Sequence, residues 1–436
     1  MLRRPPEDPY LPGRPDPHIS VSRYELDLEY RVATNRLDAH ATVHGTATER
    51  IDRIDLRLAG LKVTRVTVNG RKPAKWVHRG DVLSVRLHDD FETGTVFAVD
   101  VDYQGTPGPL MGPWGDVGWE ELTEGALVAG QPDGAPSWFP CHDHPSDKAT
   151  FRIAVSTESP YRAVCNGSLV ERKVKAGRTR WVYEHEAPMA TYLATVQIGR
   201  YEEWSLSSKP VAQRVVAPPA LRSRAKADFA EQPRMLALFE DLFGPYPFDS
   251  YTVVVAEDSL EIPLEAQGLS IFGENHVDGM HVEERLIAHE LAHQWFGNSL
   301  TLRRWQDIWL HEGFACYAEW LWSEESGADS ADTKARAAHA RLSALPQELV
   351  VQDPGPDAMF DDRLYKRGAI TLHALRLEIG DSAFFDLLRE WTLRHRHGSV
   401  DTAGFITRAE SGAARSLGDF FTAWIGKPEL PDLPVA

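Results

Sequence analysis

The chain has 436 residues, enough for two or three domains. Charged residues make up 25% and hydrophobic residues 42%, the balance of a globular protein with a watered surface. A net charge of −17 argues against binding a phosphate backbone, and the acidic excess reads as a solvated surface with a bias towards cationic peptides.

Residues 1 to 18 contain Pro5, Pro6, Pro9, Pro12, Pro15 and Pro17 and read as an extended lead-in. Arg3 and Arg4 are not followed by an apolar core, so this is not a secretory signal. Elsewhere no uninterrupted apolar run reaches membrane-spanning length, and a cytoplasmic location is expected. From Ser20 to about Trp204 the pattern is that of strands. Tyr24, Leu26, Leu28 and Tyr30 alternate with Glu25, Asp27 and Glu29, and Phe97, Val99, Val101 and Tyr103 repeat the alternation. Asn69-Gly70, after Val63 to Val68, is a hairpin turn signal. Short strands at this spacing predict a β-sandwich-like domain over 19–205, with residues 205 to 212 as the junction. Over 206–436 the pattern becomes mixed and then helical. Arg214-Val215-Val216 is strand-like, a helical stretch runs to Leu242-Phe243, Tyr251 to Ala256 is a further strand, and helices dominate after Val282. Cys141, Cys165 and Cys316 are odd in number and widely spaced, which predicts buried thiols rather than a disulfide framework or a cysteine metal site.

His289-Glu290-Leu291-Ala292-His293 carries the chemistry. Residues four apart on a helix share a face, so two imidazoles spaced this way can bind one zinc ion, with the intervening glutamate beside them. The bare motif arises by chance in on the order of one chain in a hundred of this length. Its context is more selective. Val282, Leu286, Ile287, Leu291 and Trp295 recur with a helical period, and Gly297-Asn298 is a stop signal. Glu312 follows His293 after eighteen residues and precedes a second helical run, Phe314 to Trp322. It supplies a third ligand and leaves the fourth position to water, the pattern of a catalytic rather than a structural zinc site. Glu290, on another side of the helix turn, is then the general base that takes the water's proton.

His289 to Asn298, the eighteen-residue gap and Trp309-Leu310-His311-Glu312-Gly313-Phe314-Ala315 resemble the zinc signature of the aminopeptidase N family of metallopeptidases. That family also contains leukotriene-epoxide hydrolases. Trp138-Phe139-Pro140-Cys141, Asp147-Lys148-Ala149-Thr150-Phe151, Phe243-Gly244-Pro245-Tyr246-Pro247-Phe248 and Tyr365-Lys366-Arg367-Gly368-Ala369 are similar to further family segments, in family order. The resemblance implies a multi-domain α+β protein, an N-terminal all-β domain followed by a thermolysin-like, mostly helical catalytic domain, with one Zn2+ per chain. It also implies that the large C-terminal helical domain of longer members is missing and that the active site is more open.

Carried over residue by residue, the resemblance gives Tyr365 the role of oxyanion donor, against the alternative of a packed helical tyrosine. Arg367 stands where the family more often has lysine and keeps the positive charge. Glu265 matches the glutamate of a Gly-Ala-Met-Glu-Asn segment that binds the substrate α-amine, but here the stretch is Ile262-Pro263-Leu264-Glu265-Ala266 and the flanking glycine and asparagine are lost. Gln131 resembles a glutamine that reaches the same amine. Glu319 and Asp307 each either orient a zinc histidine or serve as ordinary surface or capping acids. His142, His144, His311, His395 and His397 lack ligand spacing and are expected to be exposed or locally bonded. The leading expectation is a zinc aminopeptidase acting on peptides with a free N-terminus, with no nucleic acid or membrane partner; nothing in the sequence sets an oligomeric state. An endopeptidase or epoxide hydrolase on the same scaffold is the second reading. A binding module with a structural metal is the third, and intact Glu290, Tyr365 and Glu265 argue against it.

Overall fold

The computed structural model describes Tyr10 and residues 17–434; most of the proline-rich lead-in lies outside the described residues. Strands β1 (Ile19–Arg31), β2 (Arg36–Ala47), β3 (Ile51–Arg57), β4 (Lys62–Val68), β5 (Lys75–Arg79), β6 (Val82–Phe91) and β7 (Val96–Gly105) come first. They are followed by β8 (Pro109–Gly112), β9 (Gly115–Leu122), β10 (Gly125–Ala129), β11 (Ala149–Glu158), β12 (Arg162–Cys165), β13 (Ser168–Lys175), β14 (Arg178–Met189) and β15 (Val196–Gly199). Among the described residues these strands make sheets of order β13-β14-β11-β1-β2-β7-β4, β12-β15-β10-β9-β8 and β3-β6-β5. The alternation in β1 and β7 works as expected. Tyr24, Leu26, Leu28 and Tyr30 are buried, as are Phe97, Val99, Val101 and Tyr103, each burial stabilising by roughly 1.5–3 kcal/mol. Tyr24 stacks on Phe151, its partner in the parallel β1–β11 pairing, at 4.9 Å. The other face carries cross-strand pairs such as Arg180 with Asp27 and Thr42 with Asp100.

Asn69-Gly70 makes the left-handed turn its residues favour, with φ of 51° and 71°. It does not close a hairpin between neighbouring strands. After one bridge, Val68 to Arg71, the chain leaves for another sheet, where β5 pairs with β6, while β4 pairs with β7. Turn chemistry sets the local reversal; the longer apolar alternation of β7 decides which strand β4 joins.

Strands β16 (Glu202–Ser207), β17 (Ala212–Ala217), β18 (Ser250–Val255), β19 (Leu264–Ala266) and β20 (Leu269–Phe272) form a mixed sheet of order β16-β17-β18-β20-β19. The chain divides into two compact units. One runs to Ser205 and takes in Ala212–Arg222 and Phe248–His276, so β17 to β20 belong to it. The other comprises Leu206–Val211, Ser223–Pro247 and the chain from Val277 onwards.

The second unit is helical: α1 (Arg222–Asp228), α2 (Gln232–Phe243), α3 (Glu284–Ala292), α4 (Trp309–Glu325), α5 (Ala331–Ser343), α6 (Asp362–Ile379), α7 (Asp381–Arg394), α8 (Thr402–Ala413) and α9 (Gly418–Trp424). The single helical stretch expected before Phe243 is thus two helices with a turn between them. Every residue of α4 from Trp309 to Trp322 is buried, the signature of a central helix surrounded by others. It lies against α6 where Gly313 meets Gly368. A Cβ on Gly313 would come within 2.9 Å of the Gly368 Cα, so only glycines permit this approach. Trp309 and Phe314 of α4 join Phe296 and Phe405 in an aromatic cluster.

Arg367 of α6 does more than preserve a charge. It is buried, and its guanidinium donates to the carbonyls of Leu349, Trp424, Lys427, Pro428 and Glu429. Burial pulls it down to about 10, so it stays charged at neutral pH. A lysine has three donors at one point and cannot reach carbonyls spread around a planar fork. Arg367→Lys should therefore cost about 2–4 kcal/mol and loosen residues 424 to 429. Thermal unfolding together with amide hydrogen exchange in that segment checks this; an unchanged melt and unchanged protection would refute it.

Candidate metal centre

His289 lies in the last turn of α3 and His293 immediately follows that helix. The chain then turns at Gly297, where φ is 132° and a Cβ would come within 3.1 Å of the His293 Nδ1 atom. Beyond it, β21 (Thr301–Leu302) pairs in parallel with β22 (Ser399–Val400), which fixes the connection to α4. That path brings Glu312 under the two imidazoles. Its Oε2 atom is 3.4 Å from Nε2 of His289 and 3.5 Å from Nε2 of His293, and all three side chains are buried.

These separations test whether the donors fit a zinc ion. With bonds of about 2.0–2.1 Å, tetrahedral ligands stand roughly 3.3–3.4 Å apart, so the spacing found is the spacing required. The outer nitrogens are already engaged. His289 Nδ1 is 2.8 Å from Glu319 Oε1, and His293 Nδ1 is 3.0 Å from the carbonyl of Phe296. With Nδ1–H donated outward in each case, both Nε2 atoms are turned towards Glu312, where deprotonated they would offer their lone pairs to a metal ion. Two nitrogens and one carboxylate suit zinc and leave a coordination position open.

Glu319 is thereby resolved as the residue that orients His289, and Arg285 meets it from the other side at 3.6 Å. Asp307 has a different task. Its Oδ1 accepts from the backbone and hydroxyl of Thr402, at 3.2 and 2.6 Å, and fixes the start of α8. His311, beside Glu312 in sequence, is buried and accepts from the Leu302 amide at 2.9 Å. Sequence reasoning did not find Phe296 as the acceptor for His293, since a carbonyl has no signature in the side-chain pattern. The Gly313–Gly368 contact did leave a signal: two glycines inside otherwise unbroken helical runs.

Glu290 is buried one residue after His289. Tyr365, in the first turn of α6, is half-buried, with its ring nearly parallel to that of His289 at 6.1 Å. In the first unit, Gln131 and Glu265 meet. The Gln131 amide donates to Glu265 Oε1 at 2.7 Å. Glu265 occupies the centre of β19. Ala266, which stands in place of the asparagine, is packed with Val164, Val216, Val254 and Ile271, and Leu264 packs against Leu127, Ala129 and Ala256; Ile262, in place of the glycine, is exposed. Apolar residues on both sides face the core, and Glu265 between them faces the other way.

Without metal, the cluster carries its own counter-ions. Burial disfavours a charged His289, but its bonds to Glu312 and Glu319 outweigh this and raise it to about 9. Burial likewise opposes ionised Glu312, and the two histidines reverse that, holding it well below the usual carboxylate range. The metal-free pairing of His289 is thus fully present below the ordinary imidazole pKa, near about 6.5, and is lost as pH rises through about 9.

The peptidase M1 N-terminal domain model matches residues 20–193, and the peptidase family M1 domain model matches residues 228–424. A leucyl aminopeptidase from Saccharolobus solfataricus is 24% identical over 442 residues, covering 96% of this chain and 55% of its own length. Aminopeptidase M1 of Arabidopsis thaliana is 25% identical over 326 residues, covering 70% of this chain and 37% of its own. The chain spans about half the length, or less, of these curated relatives. The crystal structure of an M1 zinc metallopeptidase from Deinococcus radiodurans superposes with a TM-score of 0.90 at 30% identity, covering 98% of this chain and 99% of that one. Fold and site together define a two-domain metallopeptidase scaffold, a β-rich N-terminal part followed by a helical catalytic part. The chain belongs to the M1 family of peptidases.

Two consequences of the geometry are measurable. Metal uptake near pH 7 should expel about one proton, from His289, and the release should fade as pH is raised through about 9. Calorimetry in buffers of different ionisation enthalpy counts that proton; a count of zero at pH 7 would contradict the assignment. Glu319→Gln should weaken zinc binding about 10–100-fold with the fold intact, read by chelator competition. Unchanged affinity would mean that Glu319 does not hold His289 for the metal.

Proposed function

We propose that the protein is a zinc-dependent aminopeptidase that removes the N-terminal residue from peptides. The observation that carries this is the buried trio of His289, His293 and Glu312, with Glu312 Oε2 at 3.4 and 3.5 Å from the two Nε2 atoms. Family membership and the aminopeptidase names of relatives support it, as does a Deinococcus radiodurans M1 structure with a Tyr-Ser-Ala substrate bound. On this reading residues 19–205 are the N-terminal domain and 206–436 the catalytic domain. Glu265 lies in the second by sequence but in a segment that packs with the first unit.

The reaction needs a nucleophile, a proton carrier, a donor for the developing oxyanion and a grip on the substrate amine. When bound by His289, His293 and Glu312, zinc supplies Lewis acidity, polarising the carbonyl and lowering the pKa of water. Glu290 takes the proton of the attacking water on its carboxylate and passes it to the leaving amine. Tyr365 donates its phenol to the oxyanion; one such donor is typically worth about 10²–10³ in rate. Glu265 and Gln131 receive the substrate α-ammonium. The carboxylate takes a charge-assisted hydrogen bond, and the glutamine amide fixes which way the carboxylate faces.

Hydrolysis of aminoacyl fluorogenic amides, each measured beside its N-acetylated twin, tests the reading. Only the free-amine forms should be cleaved. Equal cleavage of both would favour the endopeptidase reading, and cleavage of neither would remove the aminopeptidase reading. Glu290→Gln should retain zinc and lose at least about 10²-fold in kcat. Turnover retained with zinc bound would exclude Glu290 as the base.

A further inference from the structure

The Gln131–Glu265 pair is braced from behind by a chain of buried amides. Asn166 is 1% exposed. Its Oδ1 accepts from the amide of Thr195 at 2.7 Å, and its Nδ2 donates to the carbonyls of Leu193 at 2.9 Å and Gln267 at 3.0 Å. Thr195 continues the chain: its hydroxyl donates to the carbonyl of Val128 at 2.7 Å. Gln197 donates to both the Thr195 hydroxyl, at 2.7 Å, and the Val128 carbonyl, at 3.3 Å. Val128 lies in β10, three residues before Gln131. Gln267 lies two residues after Glu265, in the turn from β19 to β20. It is fully buried, and its side-chain amide lies 2.8 Å from His185 Nε2 and donates to the carbonyls of Pro188 at 3.1 Å and Ala187 at 3.3 Å. One network of fixed hydrogen bonds therefore runs from the backbone that carries Gln131 to the backbone that carries Glu265.

The strand carrying Glu265 needs such a brace. β19 has three residues and stands at the edge of its sheet, where among the described residues it pairs with β20. Leu264 and Ala266 anchor it through apolar contacts, which are non-directional, and the short ladder to β20 holds it along one side. The residue after Glu265 is alanine, with no polar side chain to hold the turn. Asn166 supplies that hold from outside the strand, through the main-chain carbonyl of Gln267. A shift of about 1 Å at Glu265 would break a 2.7 Å bond to Gln131 and misplace the carboxylate for a cationic amine.

We propose that Asn166 and Gln267 are positioning residues for recognition of the substrate α-amine, holding Glu265 and Gln131 at the spacing that one ammonium group requires. This rests on the reading of Glu265 and Gln131 as the amine receptors. Neither Asn166 nor Gln267 touches substrate; both act through Glu265.

Asn166→Ala and Gln267→Leu, made separately in the zinc-loaded full chain and checked for fold by near-ultraviolet circular dichroism and zinc content, are assayed on the free-amine and N-acetylated amides. The expected result is a roughly tenfold rise in KM for free-amine substrates, with kcat much less affected, and a matching loss of discrimination against the acetylated form. The same substitutions in a Glu265→Gln background should have little further effect on KM, because the group they position is already neutral. A general loss of stability would not produce that dependence. The proposal is overturned if a folded, zinc-replete variant keeps its KM and its discrimination. It is equally overturned if the KM effect is the same with Glu265→Gln present. Equal cleavage of both amides by the unmodified protein would remove the underlying reading of Glu265, and this proposal with it.

Discussion

A carboxylate buried between two imidazoles is the constraint around which the helical unit is built. Ionised Glu312 inside the protein would cost several kcal/mol if left without a cation. The structure meets that demand with the nitrogens of His289 and His293, held 3.4 and 3.5 Å from Oε2. It can keep them there because each ring is fixed on its far side, His289 by Glu319 and His293 by the carbonyl of Phe296. A metal ion and a proton thus compete for one place. Phe296, whose carbonyl holds His293, has its ring stacked on Phe314 of the central helix, which ties together the two segments that carry the trio.

Much of this was legible in the residue pattern, and for identifiable reasons. His289 and His293 are spaced by helix geometry, which the sequence writes directly as i and i+4. The alternation in β1 and β7 is equally direct, since one face of each strand is buried and the other wet. Pairing was less legible. Asn69-Gly70 fixed a turn but not a partner, because a two-residue reversal stabilises its own backbone and says nothing about the strand five residues on. The division into units was hidden for a related reason. Strands β17 to β20 follow the junction in sequence, yet their neighbours lie in the first unit. Contacts between segments far apart in sequence are set by which apolar faces match, and many faces in this chain are alike.

The departures from the family pattern turn out to be of two physical kinds. At Ala266 an asparagine of the family segment has given way to an apolar residue, and the cluster that receives it compensates through packing. At Arg367 the change from lysine is conservative in charge alone. In the folded chain the relevant property is shape: a planar fork with five donors meets carbonyls contributed by two separate segments. Charge can be read from a letter, whereas the number of acceptors around it depends on how distant residues return to the same spot.

Tyr365 to Gly368 show how closely chemistry and scaffold are joined. Successive residues of a helix point about 100° apart, so four in a row face four directions. Here each direction is used. Tyr365 presents its ring to His289, and Lys366 reaches Cys316 in the central helix at 3.2 Å. Arg367 gathers the carbonyls near residues 349 and 424 to 429, and Gly368 lets the backbone rest on Gly313, next to Glu312. The position of Tyr365 relative to His289 and Glu312 is therefore constrained by a backbone contact about one turn away. A side chain larger than hydrogen at Gly368 would push α6 from α4 and carry the phenol with it. The glycine therefore constrains where the Tyr365 ring stands although it has no chemistry of its own.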